Sequence, residues 1–237
     1  MTIKGVLFDF SGTLFRIESV SSWLRAVFDG QGTKTDEESF ARYVHELTEA
    51  GALPGGPSPV RVPAALAEAY AARDVSAELH RAAYSGLARE VELPGEGTHD
   101  ALYTRHMSPD AWLPYPDAAE VLRGLRANGT AVGVVSNIGW DLRPVFRAHG
   151  LDEFVDTYVL SFEHGVQKPD VRLFRTACER LSLRPQDVVM VGDDRHADGG
   201  AAALGCGVRF VDHLPVTERP DGLRRLGLVT PAGNGAV

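Results

Sequence analysis

Short, continuous apolar runs alternate along this chain with stretches in which apolar residues return every three or four positions. The runs are 5–9 (GVLFD), 131–136 (AVGVVS), 154–160, 188–191 (VVMV) and 208–211 (VRFV). Runs this short, apolar on both faces and bounded by turn residues, read as buried strands. The helical patterns fall between them, at 117–127, 142–149, 170–181 and 198–204. Such alternation predicts an α/β fold with a doubly wound parallel sheet. Ligands of such sheets bind beyond the carboxyl ends of the strands, at the topological switch point.

One long segment breaks the alternation. Residues 17–105 carry almost no strand signal and read as helices. Thr35-x-x-Glu38 is a capping box opening a helix that stops at Gly51. Residues 54–63 (PGGPSPVRVP) form a Gly/Pro loop, Pro63 suits the first turn of the next helix, and Ser76 caps another. The expected organisation is a Rossmann-like core of residues 1–16 and 106–226, with a helical domain of residues 17–105 inserted after the first strand. The tail, 227–237, is expected to fray.

Composition narrows the partners. The chain has 237 residues, 44% hydrophobic and 24% charged, enough apolar material for a sizeable core. Its net charge of −8 argues against a nucleic-acid partner. No apolar run reaches the roughly 18 residues that span a bilayer, so no membrane partner is expected. The first residues lack a signal-peptide layout, which points to the cytoplasm. Cys178 and Cys206 have neither metal nor redox spacing. Oligomeric state leaves no mark on the sequence. Lys4, Lys34 and Lys168 are the only lysines, so the position of each is informative.

The candidate chemistry lies at strand ends. Asp9 closes the first strand, Ser136 the second, and Asp193 and Asp194 the fourth; Lys168 follows the third, in GVQKPD. Singly, each has a plain reading as a helix cap or a solvated charge. In a parallel sheet, however, these ends open on one edge, so residues far apart in sequence converge there. His164 and His196 lie near these loops but read as surface or supporting residues. His45, His80, His99 and His106 in the inserted segment read as surface or packing residues.

Asp9-Phe-Ser-Gly-Thr13, Ser136-Asn137, Lys168-Pro169 and Gly192-Asp-Asp-x-x-x-Asp198 resemble, in order and spacing, the four motifs of the haloacid dehalogenase-like (HAD) hydrolase superfamily. The inserted helices are similar to that family's α-helical cap. The resemblance implies a magnesium-dependent phosphatase of small phosphorylated metabolites, working through an aspartyl-phosphate on Asp9. Asp9 would be the nucleophile. Mg2+ would be held by Asp9, Asp193, Asp194 and the backbone carbonyl of Ser11. Ser136, Asn137 and Gly12 would serve the phosphate, Lys168 would neutralise charge, and Asp198 would support Lys168 or the metal shell.

Ser11 departs from the pattern. Most phosphatases of the superfamily carry a second Asp here, which protonates the leaving group. A serine hydroxyl has too high a pKa for that work, and general acid-base catalysis is worth about 10²–10⁴ in rate. A preference for activated phosphates is therefore expected unless another group supplies the proton. The alternatives are a dehalogenase, a phosphonatase using Lys34, the sole lysine of the cap, or a catalytically weak binding or regulatory protein.

Overall fold

The computed structural model describes residues 3–229. Strand β1 (Gly5–Phe8) leads through a tight turn into β2 (Phe15–Ile17). Five helices follow: α1 (Val20–Gln31), α2 (Glu37–Ala50), α3 (Ala67–Ala71), α4 (Ala77–Ala88) and α5 (Thr98–His106). The chain returns through β3 (Trp112–Pro114) to α6 (Ala118–Ala127), β4 (Ala131–Ser136) and α7 (Arg143–Ala148). It continues with β5 (Thr157–Leu160), α8 (Ser161–His164), α9 (Val171–Arg180), β6 (Val188–Gly192) and β7 (Gly207–Phe210).

The five long-range strands form one parallel sheet in the order β5-β4-β1-β6-β7. Both faces are covered, which is why the strands read as unbroken apolar runs. Val6 and Phe8 of β1 pack into a cluster on one face, and Leu7 packs with Val135, Met190 and Phe174 on the other. The first cluster runs without a break into the inserted helices through Trp23, Leu24 and Phe28. The indole N–H of Trp23 donates to the Leu102 carbonyl at 2.9 Å, tying α1 to α5.

Local signals explain most helix limits. The Ser19 side chain caps α1, and the α4 cap is Ser76, whose hydroxyl accepts from the Leu79 amide at 3.2 Å. At α2 the cap is Asp36 rather than Thr35: its carboxylate accepts the Ser39 amide at 2.8 Å, a stronger acceptor one residue later in sequence. Residues 18–111 hold no strand, in keeping with the helical reading of the insert, and β2 and β3 pair antiparallel at its two ends to form its neck. Two other expectations need correction. Residues 198–204 form a 3₁₀ helix, not an α-helix, in a stretch opened by Gly199-Gly200. Residues 228–229 do not fray: Val229 packs against Gly124 of α6. The rest of the expected tail, 230–237, lies outside the described residues.

Register places the site. Phe8 pairs with Val134 on one side and Val191 on the other, so Asp9 emerges between the ends of β4 and β6. Its amide still bonds the Val191 carbonyl at 2.9 Å, which fixes the first residue beyond the strand.

Candidate active site

A cavity of about 250 Å3 opens at the carboxyl edge of the sheet. Asp9, Ser11, Ser136, Asn137, Lys168 and Asp193 line its core side; Tyr70, Arg73, Asp74, His80 and Tyr84 line it from the inserted helices. Asp9, Ser136, Lys168 and Asp198 are all less than a tenth exposed. Most of the sequence-predicted residues therefore meet in one pocket.

Lys168 is the hub. Its ammonium donates to Asp9 Oδ1 at 2.7 Å and to Asp198 Oδ1 at 2.6 Å. Burial works against its charge, but the carboxylates of Asp198 and Asp9 overcome burial and hold the pKa above the ordinary lysine range. Asp9 is pushed up to about 7, by burial first and then by the negative charges of Asp198 and Asp193, against the pull of Lys168. Burial also acts to raise Asp193, yet it lies below the usual carboxylate range because His213 and Lys168 favour its charged form and Thr13 donates to it.

Asp9, Asp193 and Asp198 each offer an oxygen, all within 4.8 Å of one another. Three carboxylates against one ammonium leave an excess of negative charge in a buried pocket. Charges in such a setting are stable only when paired or metal-bound. The donor set is all oxygen, which suits Mg2+. The residues present therefore fit a divalent cation.

Not every predicted residue does what the motif suggested. Asp194 is exposed, and its carboxylate accepts the His196 and Ala197 amides at 2.8 and 2.9 Å; Asp198, not Asp194, completes the acidic trio. The amide of Gly12 is taken by the Phe15 carbonyl at 2.7 Å, so it is not turned to a phosphate. Gly12 instead shapes the turn. At φ 81° a Cβ there would collide with His213 Nδ1 and lie 2.5 Å from Asp193 Oδ2. Ser11 lines the cavity, and its hydroxyl has no hydrogen-bond partner. The side chain of Asn137 is occupied with the backbone of Lys168, which leaves only its amide for a ligand. Lys34 is exposed and does not line the cavity, so the geometry lends no support to a phosphonatase lysine.

Three contributors lie outside the motifs, and a fourth, Thr13, lies in the first motif without a role expected of it. His213, just after β7, hydrogen-bonds Asp193. Thr13 donates to the same carboxylate at 3.2 Å. Arg219 donates to the carbonyls of Gly12 and Thr13, holding the first turn from the far end of the chain. Asp74 enters from the turn between α3 and α4. His213 and Arg219 follow the last strand in irregular chain, where no periodicity marks them; Thr13 is the one that the first motif already contained.

Residues 3–205 match the family model of haloacid dehalogenase-like hydrolases. The chain belongs to this family. It is 38% identical over 92 residues to (S)-2-haloacid dehalogenase 1 of Pseudomonas sp. (strain CBS-3), covering 38% of the chain and 40% of that protein. It is 37% identical over 98 residues to the phosphoserine phosphatase of Thermus thermophilus, covering 41% and 39%. The chain thus spans less than half the length of these curated relatives. Among solved structures, L-2-haloacid dehalogenase from Xanthobacter autotrophicus superposes with a TM-score of 0.62 at 23% identity, covering 97% of this chain and 85% of that one, a likeness of fold. This HAD-like hydrolase thus has both dehalogenases and phosphatases among its relatives. No helix among its described residues is long and apolar enough to cross a membrane.

Proposed function

We propose that this HAD-like hydrolase is a metal-dependent phosphatase of small phosphorylated metabolites, with Asp9 as nucleophile. The observation that carries the reading is the trio Asp9, Asp193 and Asp198 gathered around Lys168. A carboxylate attacks a phosphate dianion only when the charge of both is neutralised. Displacement of halide from carbon needs no such neutralisation, so a dehalogenase has little use for the extra carboxylate Asp193. Relatives such as the phosphoserine phosphatase of Thermus thermophilus agree with this reading.

Asp9 Oδ1 is held by Lys168, which orients the carboxylate and offsets its charge. Its other oxygen attacks phosphorus, and the bond to the leaving oxygen breaks. The Ser136 hydroxyl and the Asn137 amide donate to phosphate oxygens. Mg2+, held by Asp9, Asp193 and the Ser11 carbonyl with Asp198 beside them, would supply positive charge to nucleophile and phosphate. Asp9, Ser136 and Lys168 are buried, which strengthens each of these interactions.

A dehalogenase is the second reading, favoured by Ser11 and by the 38% identity to a haloacid dehalogenase. One experiment separates the two: release of phosphate from p-nitrophenyl phosphate, and of chloride from 2-chloropropionate, each with Mg2+ and with EDTA. Magnesium-dependent phosphate release without chloride release is expected. Chloride release that persists in EDTA would decide for the dehalogenase. Neither release would leave a binding protein.

A further inference from the structure

Ser11 leaves the proposed reaction without a proton donor, and the cap histidines do not replace it. His80 and His106 are buried, and burial pushes His80 down to about 3 and His106 well below its usual range. Neither is an imidazolium at neutral pH. His45 and His99 do not line the cavity.

We propose that Asp74 of the cap is the general acid and base of this enzyme, in place of the carboxylate missing at position 11. The inference rests on the phosphatase reading above. Asp74 is the one carboxylate that the inserted helices contribute to the cavity lining among the described residues. It is 9% exposed. In-line displacement puts the leaving oxygen on the side of phosphorus away from Asp9, which is the side walled by the cap.

The core fixes Asp74 in place. Ser161 Oγ, at the end of β5, lies 2.5 Å from the Asp74 carbonyl and accepts the Ile138 amide at 2.8 Å. One hydroxyl thus ties the cap acid to the loop that carries Ser136 and Asn137. A second tie runs from Gln167 Nε2 to the Ala71 carbonyl at 3.0 Å, beside Lys168. Arg73 Nε, 3.7 Å from Asp74 Oδ2, steadies the carboxyl.

The charged and titratable groups around it are Arg73 on its own turn, Tyr70 of α3, His80 and Tyr84 of α4, and Lys168 of the core. Burial raises the Asp74 pKa, and the pull of Arg73 and Lys168 does not cancel the rise. A carboxyl so placed exchanges its proton at a higher pH than an exposed one.

The proton balance closes. In the first half, an Asp9 oxygen bonds to phosphorus, the bond to the leaving oxygen breaks, and that oxygen takes the Asp74 proton. In the second, water gives a proton to the Asp74 carboxylate, its oxygen bonds to phosphorus, and the electron pair of the Asp9–phosphorus bond returns to Asp9.

The test is a ratio of kcat/KM values for an alkyl phosphate, glycerol 3-phosphate, and p-nitrophenyl phosphate, whose leaving group needs no proton. Both should be turned over by the native enzyme. Asp74→Asn should lose about 10²–10⁴ on the alkyl ester, the range of acid-base catalysis, and less than about tenfold on the aryl ester. It should also abolish the fall of alkyl turnover at high pH. Ser11→Asp added to Asp74→Asn should restore part of the alkyl activity. Equal losses on both esters in a folded variant would mean that Asp74 only supports the structure, and an unchanged alkyl rate would overturn the proposal outright. No turnover of p-nitrophenyl phosphate by the native enzyme with Mg2+ would instead sink the phosphatase reading, and this proposal with it. If Asp74→Asn does not fold, Ser161→Ala, which frees the Asp74 main chain, is read by the same ratio and should fall first on the alkyl ester.

Discussion

Asn137 and Lys168 hold each other in both directions: Asn137 Nδ2 donates to the Lys168 carbonyl at 3.0 Å, and the Lys168 amide donates to Asn137 Oδ1 at 2.6 Å. The pair locks the end of β4 to the loop after β5, and so aims the Lys168 ammonium at Asp9. Asn137→Ala removes both bonds and leaves two backbone groups unpaired in a part-buried site. A loss of about 1–3 kcal/mol in stability is expected from the unpaired groups, read as a lower urea midpoint. Turnover should fall as Lys168 loses its aim. Asn137→Asp keeps the acceptor for the Lys168 amide but sets a carboxylate oxygen against the Lys168 carbonyl, so its loss reports the donated bond.

This pair also marks what the sequence made legible. The strand ends were visible because two-sided burial leaves continuous apolar runs, and the residue after each run is fixed by register. Asp9, Ser136 and Asp193 stand out that way, and Lys168 stands out as one of three lysines, in the loop after the third run. What those residues bond to was not visible: that Asn137 serves Lys168, that Asp194 caps its own turn and that Asp198 replaces it all depend on loop conformation. The β2–β3 ribbon was missed because two three-residue strands, paired across nearly a hundred residues, carry no period of their own. Asp74 was missed for a related reason: a turn between two short helices has no motif, and only tertiary structure, with Ser161 bonded to its carbonyl, brings the residue to the cavity wall.

The second prediction concerns the nucleophile. Asp9→Asn removes the attacking charge while keeping the shape, so turnover of phosphate esters should vanish with the fold intact. Beryllium fluoride, which mimics phosphate on a carboxylate, should raise the melting temperature of the native protein and not of the variant. More than a few per cent of residual turnover would exclude covalent catalysis at Asp9.

The buried charge excess has a consequence for stability. Asp9 keeps its proton in the folded metal-free protein up to about pH 7, but loses it near 3.8 when unfolded. The folded state therefore binds more protons between those values, and stability must fall as pH rises through that window. At 1.36 kcal/mol per pKa unit the full effect is roughly 4 kcal/mol at most. In EDTA, urea midpoints should drop from pH 5 to pH 8. Asp9→Asn should remove most of that slope and be the more stable protein at pH 8. A flat wild-type profile would mean that Lys168 already balances the charge.

The same group links metal to protons. Below about pH 7, a cation binding at Asp9 must displace its proton. The apparent Mg2+ affinity should therefore rise with pH, by about tenfold per unit where one proton is released, and level off above 7. Calorimetry in two buffers of different ionisation enthalpy reads the released proton directly. Asp193→Asn should weaken binding at every pH and abolish most turnover, and it should lower the pH at which the affinity levels off, because the Asp193 charge helps to raise Asp9. Full phosphate turnover in excess EDTA would remove the metal from the mechanism.

Two glycines separate close approach from helix propensity. A Cβ on Gly192 would collide with Asp198 Oδ2, an oxygen that also accepts the Asp194 amide at 3.0 Å. Gly192→Ala must push the Asp198 carboxylate aside, and with it one of the two partners of Lys168. A loss of about 1–3 kcal/mol is expected from overpacking a buried site, together with a fall in kcat at least as large as that of Asp198→Asn. Gly30 lies near the end of α1, and a Cβ added there would meet nothing within 4 Å. Gly30→Ala should therefore stabilise the protein by about 0.5–1 kcal/mol through helix propensity and leave turnover unchanged. The pair is read from urea midpoints and kcat on p-nitrophenyl phosphate. If Gly192→Ala kept full activity, Asp198 could not be the residue that holds Lys168 on Asp9.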